Sequence, residues 1–437
     1  MPGQGKTLNN LFAPLPPKVQ QQMASVPALI EKTFPLPGRF RLGLPKDVAE
    51  LSRLLTSGKG ERALSYLSRP NLLSAYLRYF LPWNIFRLCR LLPFLGLRLS
   101  PGDVIIDLGC GPLTFAAALW ISRPDLHAMP LEFHCIDRTA NIMAAGKKFF
   151  AALTAAGSGD TIHGDTIHGD TRHGDTRHGA ARHGDAPWKI STARGSVSPK
   201  GILSHNAGKK HGPGRSVKHK PAALVCAANV FNEIYGDIHY HNSLESAALN
   251  SARLLDSLCA DMASILVLEP GVPRWGEFLS CLRNALIEKG RFPLSPCTHD
   301  QACPFPGGTV KNGKNRWCHF AFDTQDAPDA LHRLSAAAGI PKERAVLSFL
   351  LAGTRGQAMC RQDTCKQPEI IPARIISDAF PLPQDQCGRY GCSEQGPVLV
   401  TGKRADIEKL SSGTLINALP VKPLRRDPKS GALVVRE

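Results

Sequence analysis

The stretch VIIDLGCGP, residues 104–112, passes from a β-rich apolar run into a turn carrying two glycines. At Gly109 and Gly111 the missing side chains let backbone N–H groups approach a ligand at the start of the next helix, supplied by the alanine-rich TFAAALWIS. A second strand, EFHCID (132–137), follows, so strand, glycine turn, helix and strand make a βαβ unit. Asp107 sits at the end of the first strand and Asp137 at the end of the second, where a carboxylate can accept hydrogen bonds from both ribose hydroxyls. A nicotinamide fingerprint G-x-G-x-x-G would need glycine at position 114, which is Thr114.

Outward from this unit the α/β pattern continues. A helix over 139–156 is predicted, then the alternation resumes at PAALVCAANVFNEIYGD (221–237) and runs through a helix (242–259), the strand SILVLEPG (264–271) and a helix (274–289). Between them, residues 157–220 contain a five-residue His-Gly-Asp repeat, 11 Lys and Arg against 5 Asp, and 8 of the chain's 15 histidines. Few apolar residues offset the entropy of ordering, so this segment reads as a disordered insertion tolerated in a surface loop. A metal-chelating or RNA-touching arm is its functional alternative.

The Pro/Gly-rich residues 1–45 read as an extended arm and 46–98 as a helical module. The expected α/β domain spans 99–292. Residues 293–404 form a Cys-rich module containing the last strands of the sheet, and 405–437 a basic tail.

With 437 residues and 43% hydrophobic content, the chain is long enough for a full core. No stretch reaches the roughly 20 uncharged apolar residues of a membrane span. The amino terminus has neither an apolar signal core nor an Arg-rich transit pattern, so a cytoplasmic location is expected. Reducing conditions there would keep the 13 cysteines from forming disulfides and turn attention to metals. The net charge of +17 points to a polyanionic partner, nucleic acid above all.

The pattern DLGCGP resembles motif I of class I S-adenosylmethionine-dependent methyltransferases, D/E-x-G-x-G-x-G, with Leu113 where the third glycine belongs. The resemblance implies a Rossmann-like sheet and cofactor contacts from Asp107, Gly109, Gly111 and Asp137. CAANVFNEI (226–234) falls where such enzymes place the residues beside the transferred methyl, making Asn229, Asn232 and Glu233 the catalytic candidates. Asn232 and Glu233 equally fit capping or solvation at a helix start. Cys110 and Cys226 read as small buried hydrophobes.

Seven cysteines fall within the 96 residues from Cys297 to Cys392: Cys297, Cys303, Cys318, the pair Cys360 and Cys365, and the pair Cys387 and Cys392. This density suggests a metal, although the spacings match neither zinc knuckles nor the usual ferredoxin repeat. The ordered set YLRYFLPWN, DLGCGP, VFNEI, LEPG, PCTHDQACP, WCHF and LSFLL resembles the methyltransferase-like family of mitochondrial small-ribosomal-subunit assembly factors and their bacterial homologues. That resemblance covers roughly 70–156 and 220–404.

It implies a [4Fe-4S] cluster on Cys297, Cys303, Cys318 and Cys392, with Cys387 competing for the fourth place and zinc as the alternative metal. His299 then becomes a residue outside the ligand set, or merely solvated. The resemblance also implies a partner in the small ribosomal subunit or its rRNA, and methyl transfer from S-adenosylmethionine. A catalytically silent RNA-binding scaffold is the alternative to an enzyme.

Overall fold

Every residue of Val104–Leu108 is buried, and alternate side chains serve two different cores. Ile105 joins the helices of one face, whereas Val104, Ile106 and Leu108 join those of the other, as period-two alternation in a doubly covered sheet requires. The computed structural model describes residues 9–56, 69–157, 187–198, 201–204, 219–236, 241–307, 316–362 and 370–436.

In chain order the first strands are β1 (Asn9–Asn10), β2 (Val104–Leu108), β3 (Glu132–Asp137), β4 (Lys189–Ser198), β5 (Gly201–Ser204), β6 (Ala222–Ala228), β7 (Cys259–Pro270), β8 (Phe292–Ser295), β9 (Phe320–Asp323) and β10 (Arg344–Gly353). All but β1 build one sheet of order β5-β4-β3-β2-β6-β7-β10-β8, with β9 also on β10. Strands β4, β3, β2, β6 and β7 are parallel, and β10 runs antiparallel to β7. This is the class I methyltransferase-like α/β sheet. The strand order reverses between β2 and β6, which places a ligand crevice at the carboxyl end of β2.

The helices Thr114–Ser122 and Ala140–Gly157 contribute to the core on one face. His241–Ser257 and Pro273–Glu288 contribute to the core on the other. Among the described residues no helix is long and apolar enough to cross a membrane.

The remaining strands are β11 (Ile371–Ile375), β12 (Phe380–Leu382), β13 (Gln386–Ser393), β14 (Gly396–Lys403), β15 (Thr414–Pro420) and β16 (Leu433–Arg436). Their order is β15-β11-β13-β14-β16, and a β15–β16 pairing closes the path into a small barrel. Its core holds Ile371, Ala373, Val398, Val400, Ile416 and Val435.

Three expectations are corrected. The arm expected over 1–45 contains a helix, Pro17–Thr33, whose Val19, Met23, Val26 and Ile30 are buried at helical spacing; its leading proline occupies the first turn, where no N–H is needed. Within the expected insertion 157–220, Lys189–Ser198 pairs in parallel with β3 and Gly201–Ser204 pairs with it in turn. Its repeat block lies outside the described residues. The basic tail expected over 405–437 supplies β15 and β16, whose apolar residues complete the barrel core.

Candidate functional site

At the carboxyl end of β2 the chain turns through Gly109 (φ 62°), Gly111 (φ 51°) and Leu113 (φ 58°, ψ 40°). A Cβ on Gly109 would lie 2.6 Å from the Val230 side chain, so glycine is required there for packing as well as conformation. Leu113 holds the left-handed conformation that a third glycine would adopt freely. Its fully buried side chain offsets that strain.

Asp137 closes the turn from the side. Its Oδ2 accepts the Gly111 N–H at 3.0 Å, and its Oδ1 accepts the Thr139 N–H at 2.8 Å. Burial raises its carboxyl above the usual range, while these two N–H groups pull it back. Asp107 is 1% exposed, and its Oδ2 has no hydrogen-bond partner among the described residues. Burial first, then the nearby Asp137, push the Asp107 carboxyl well up.

The other candidates surround this crevice. Asn229 follows the last residue of β6 in the left-handed region (φ 58°), which asparagine tolerates better than most residues, and its N–H donates to the Leu268 carbonyl at 2.8 Å. Neither Asn232 nor Glu233 caps the short helix Phe231–Ile234. Glu269, at the end of β7, does so: its two oxygens accept the Phe231 N–H at 2.9 Å and the Asn232 N–H at 3.1 Å. Burial drives the Glu269 carboxyl up to about 8 in spite of these donors.

Asn232 keeps a buried Oδ1 without a partner among the described residues. Glu233 accepts from Arg138 at 3.0 Å, an ion pair joining the ends of β3 and β6 on either side of β2.

Tyr76 was not singled out in the sequence. It begins a π-helical stretch, Tyr76–Phe80, and its hydroxyl stands 3.8 Å from the position a Cβ on Gly111 would take. Such stretches recur at functional sites. Burial, with the Glu233 and Asp137 charges, raises its phenol. Cys110 and Cys226 are buried thiols pushed well up by burial, as inert core cysteines are.

The second cluster lies between the sheet and the barrel. Cys297, Cys303, Cys318 and Cys392 line one cavity of about 30 Å³, together with Arg283, Arg374, Phe305 and Phe349. That exceeds the roughly 10–15 Å³ one water needs by the same kind of measure. Among the described residues no three His, Cys, Asp or Glu groups stand close enough to hold a metal ion as placed. The thiols share a wall rather than a finished ligand geometry.

Burial raises the Cys297, Cys318 and Cys392 thiols, and Arg283 opposes the shift in each. Arg283, 3% exposed, donates to the His299 carbonyl at 2.9 Å and the Gln301 carbonyl at 2.7 Å, while its Nε has no partner among the described residues. Arg374 donates to the Pro296 carbonyl at 3.2 Å, so both guanidinium groups grip the backbone of the loop that carries Cys297.

Cys387 faces the barrel core, and Cys365 and the side chain of Cys360 lie outside the described residues. The expectation of a solvated His299 is corrected: it is 4% exposed, with Nε2 3.4 Å from Cys392 Sγ. Burial and Arg283 lower its imidazole to about 4, keeping it neutral.

Residues 220–380 match the family described as mitochondrial small ribosomal subunit Rsm22. The match is little more than a third of the chain; it includes Asn229, Glu269 and three of the cavity cysteines, but neither the glycine turn nor Cys392. The mitochondrial description conflicts with the expected cytoplasmic location.

Solved structures with similar folds include a putative methyltransferase of Haloferax volcanii bound to its Trm112 activator (11% identity, 70% of this chain and 97% of that one, TM-score 0.25). Another is a Geobacter sulfurreducens methyltransferase with S-adenosylhomocysteine (13%, 63% and 91%, TM-score 0.29). A third is the CurJ carbon methyltransferase (13%, 75% and 70%, TM-score 0.32). At these scores they add nothing to the strand order. No curated protein matches the chain significantly in sequence.

Proposed function

We propose that the chain is a methyltransferase-like protein of the small ribosomal subunit or its rRNA, binding S-adenosylmethionine at the carboxyl end of β2 and a [4Fe-4S] cluster in the thiol cavity. The observation that carries the first part is the turn of Gly109 and Gly111 held by Asp137 at the point where the strand order reverses. Each Asp137 oxygen accepts one N–H and keeps acceptor capacity for the cofactor's ribose hydroxyls. The unpartnered Asp107 Oδ2 is a buried acceptor that the cofactor's ammonium would satisfy.

When bound, the cofactor supplies an activated methyl group. The chain would position the acceptor, with Asn229 and Asn232 at the end of β6 as the polar groups to orient it. Titration calorimetry with S-adenosylmethionine tests this: binding is expected, and no heat at millimolar ligand would sink it.

The donor set supports the cluster. Four thiols line the cavity, no carboxylate does, and two buried guanidinium groups offset the negative charge that thiolate ligation brings. Such a group would also staple the barrel, through Cys392, to the sheet. Protein purified without oxygen should be brown, with iron by elemental analysis; colourless protein with zinc would favour the alternative metal.

The Arg138–Glu233 pair and the Leu113 departure favour a second reading, a catalytically silent scaffold with a closed crevice. Location is decided by cell fractionation, the family description favouring mitochondria over the cytoplasm.

A further inference from the structure

The barrel has a chain path with a recognisable logic. Taking β11, β13, β14, β15 and β16 as strands one to five, the closed order is one-two-three-five-four and back to one. The only parallel pairing among them is β14 with β16, and a short helix, Arg404–Ile407, separates β14 from β15. This is the path of a five-stranded Greek-key barrel of the oligonucleotide/oligosaccharide-binding type. Such barrels take ligands on strands two and three and on the loops between strands one and two and between four and five.

Topology alone does not assign a ligand, so the surface must. Part of the usual binding region is engaged within the chain. Cys392 on β13 faces the thiol cavity, and in the connection from β11 to β13, Asp378 receives both Arg344 Nη groups at 2.6 Å from β10 of the large sheet.

The loop between β15 and β16, residues 421–432, remains outward. It carries Lys422, Arg425, Arg426 and Lys429, all exposed, against the single acid Asp427. Asp427 is engaged locally, accepting the Ser430 N–H at 2.8 Å. The loop is also rigidly built: the Val434 N–H donates to the Arg425 carbonyl at 3.0 Å, the Gly431 N–H to the Asp427 carbonyl at 2.7 Å, and Arg316 Nη1 to the Ser430 carbonyl at 2.7 Å. A hairpin held from both sides presents its cations with little ordering left to be done on binding.

We infer that the β15–β16 loop of the carboxy-terminal barrel is a contact surface for the phosphate backbone of single-stranded RNA. The charge favours a polyanion over a neutral saccharide, and the inference rests on the proposed rRNA-related function, naming where the RNA would touch. Phosphate contacts of this kind give affinity and salt dependence rather than sequence choice.

The test uses the full chain and a short single-stranded oligoribonucleotide, with affinity measured across a range of salt concentrations. Replacing Lys422, Arg425 and Lys429 together by Gln spares Arg426, whose Nη1 holds the Gly431 carbonyl at 2.9 Å. The salt slope should fall by about 2, the loss expected for three contacts to a single strand. S-adenosylmethionine binding, iron content and Tm should stay as in the wild type. Lys422→Arg with Lys429→Arg should keep the slope.

If the wild type binds the RNA and the triple variant binds with an unchanged slope, the inference is overturned while the rRNA reading stands. Loss of binding in the charge-retaining variant would overturn the electrostatic account. A wild type that does not bind RNA would remove both the inference and the RNA part of the proposed function.

Discussion

Cys387 and Cys392 occupy the same strand five residues apart and face opposite ways, Cys387 into the barrel core and Cys392 onto the thiol cavity, 3.4 Å from His299 Nε2. An odd separation along a strand puts two side chains on opposite faces, so only one can belong to the cavity. If the proposed cluster is bound, Cys392→Ser should lose its iron and its colour. Cys387→Ser should keep both and lose about 1–3 kcal/mol of stability, because it places a hydroxyl in an apolar core. Iron analysis, the visible spectrum and denaturant unfolding check the pair; bleaching by Cys387→Ser alone would refute this assignment of the fourth ligand.

Asp137 ties the glycine turn to β3 and has acceptor capacity left for a ribose. In Asp137→Ala the Gly111 and Thr139 N–H groups lose their partner, and the affinity for S-adenosylmethionine should fall roughly 10- to 100-fold, the worth of about 1.5–3 kcal/mol for hydrogen bonds to a charged group. Asp137→Asn keeps one acceptor oxygen and turns its NH2 toward the other N–H, so it should lose affinity too, but less than the alanine variant. Calorimetry measures both, with circular dichroism to confirm that the fold is retained. Unchanged affinity in the alanine variant would move the cofactor elsewhere.

Glu269 makes stability depend on pH. Its carboxyl is raised from the ordinary 4.5 to about 8, chiefly by burial, so the folded chain holds a proton that the unfolded chain releases. The contribution is fully present below the unfolded value and is lost as pH rises through about 8. Wild-type Tm should therefore decline across that window relative to Glu269→Gln, whose amide does not titrate. The difference between the two proteins should change by a few kcal/mol at most. Parallel Tm curves from pH 5 to pH 9 would contradict the assignment.

What the sequence disclosed follows from how local each signal is. The β2 turn is legible because a buried strand, two glycines and a helix stand side by side in the chain. The density of seven cysteines marks the region, the family resemblance implies which four matter, and only the fold places those four on the wall of one cavity. Strand β4 was hidden because KISTARGSVS is polar for a strand, with Gly195 its one buried residue, and it lies toward the sheet edge. The barrel was hidden because its last two strands flank a basic loop that dominates the composition. The Glu269 cap and the Tyr76 hydroxyl over Gly111 have no local signal, since both join segments distant in sequence. The helix Pro17–Thr33 had one: its buried residues keep helical spacing behind prolines that read as a break.

Leu113 separates the demands of the fold from those of the cofactor. Leu113→Gly relieves a left-handed conformation costing roughly 1–2 kcal/mol but removes a fully buried side chain. Large-to-small changes at such sites cost about 2–5 kcal/mol, so the packing loss outweighs the relief and the variant should be less stable by about 1–3 kcal/mol. The same change restores the third glycine of the motif without touching Asp107, Asp137 or the N–H of Gly111. Affinity for S-adenosylmethionine should accordingly hold or rise while Tm falls. Denaturant unfolding and calorimetry on one preparation check the two together. A marked loss of affinity at unchanged stability would mean that the Leu113 side chain itself shapes the cofactor crevice, and the turn would then have to be read as adapted to a different ligand.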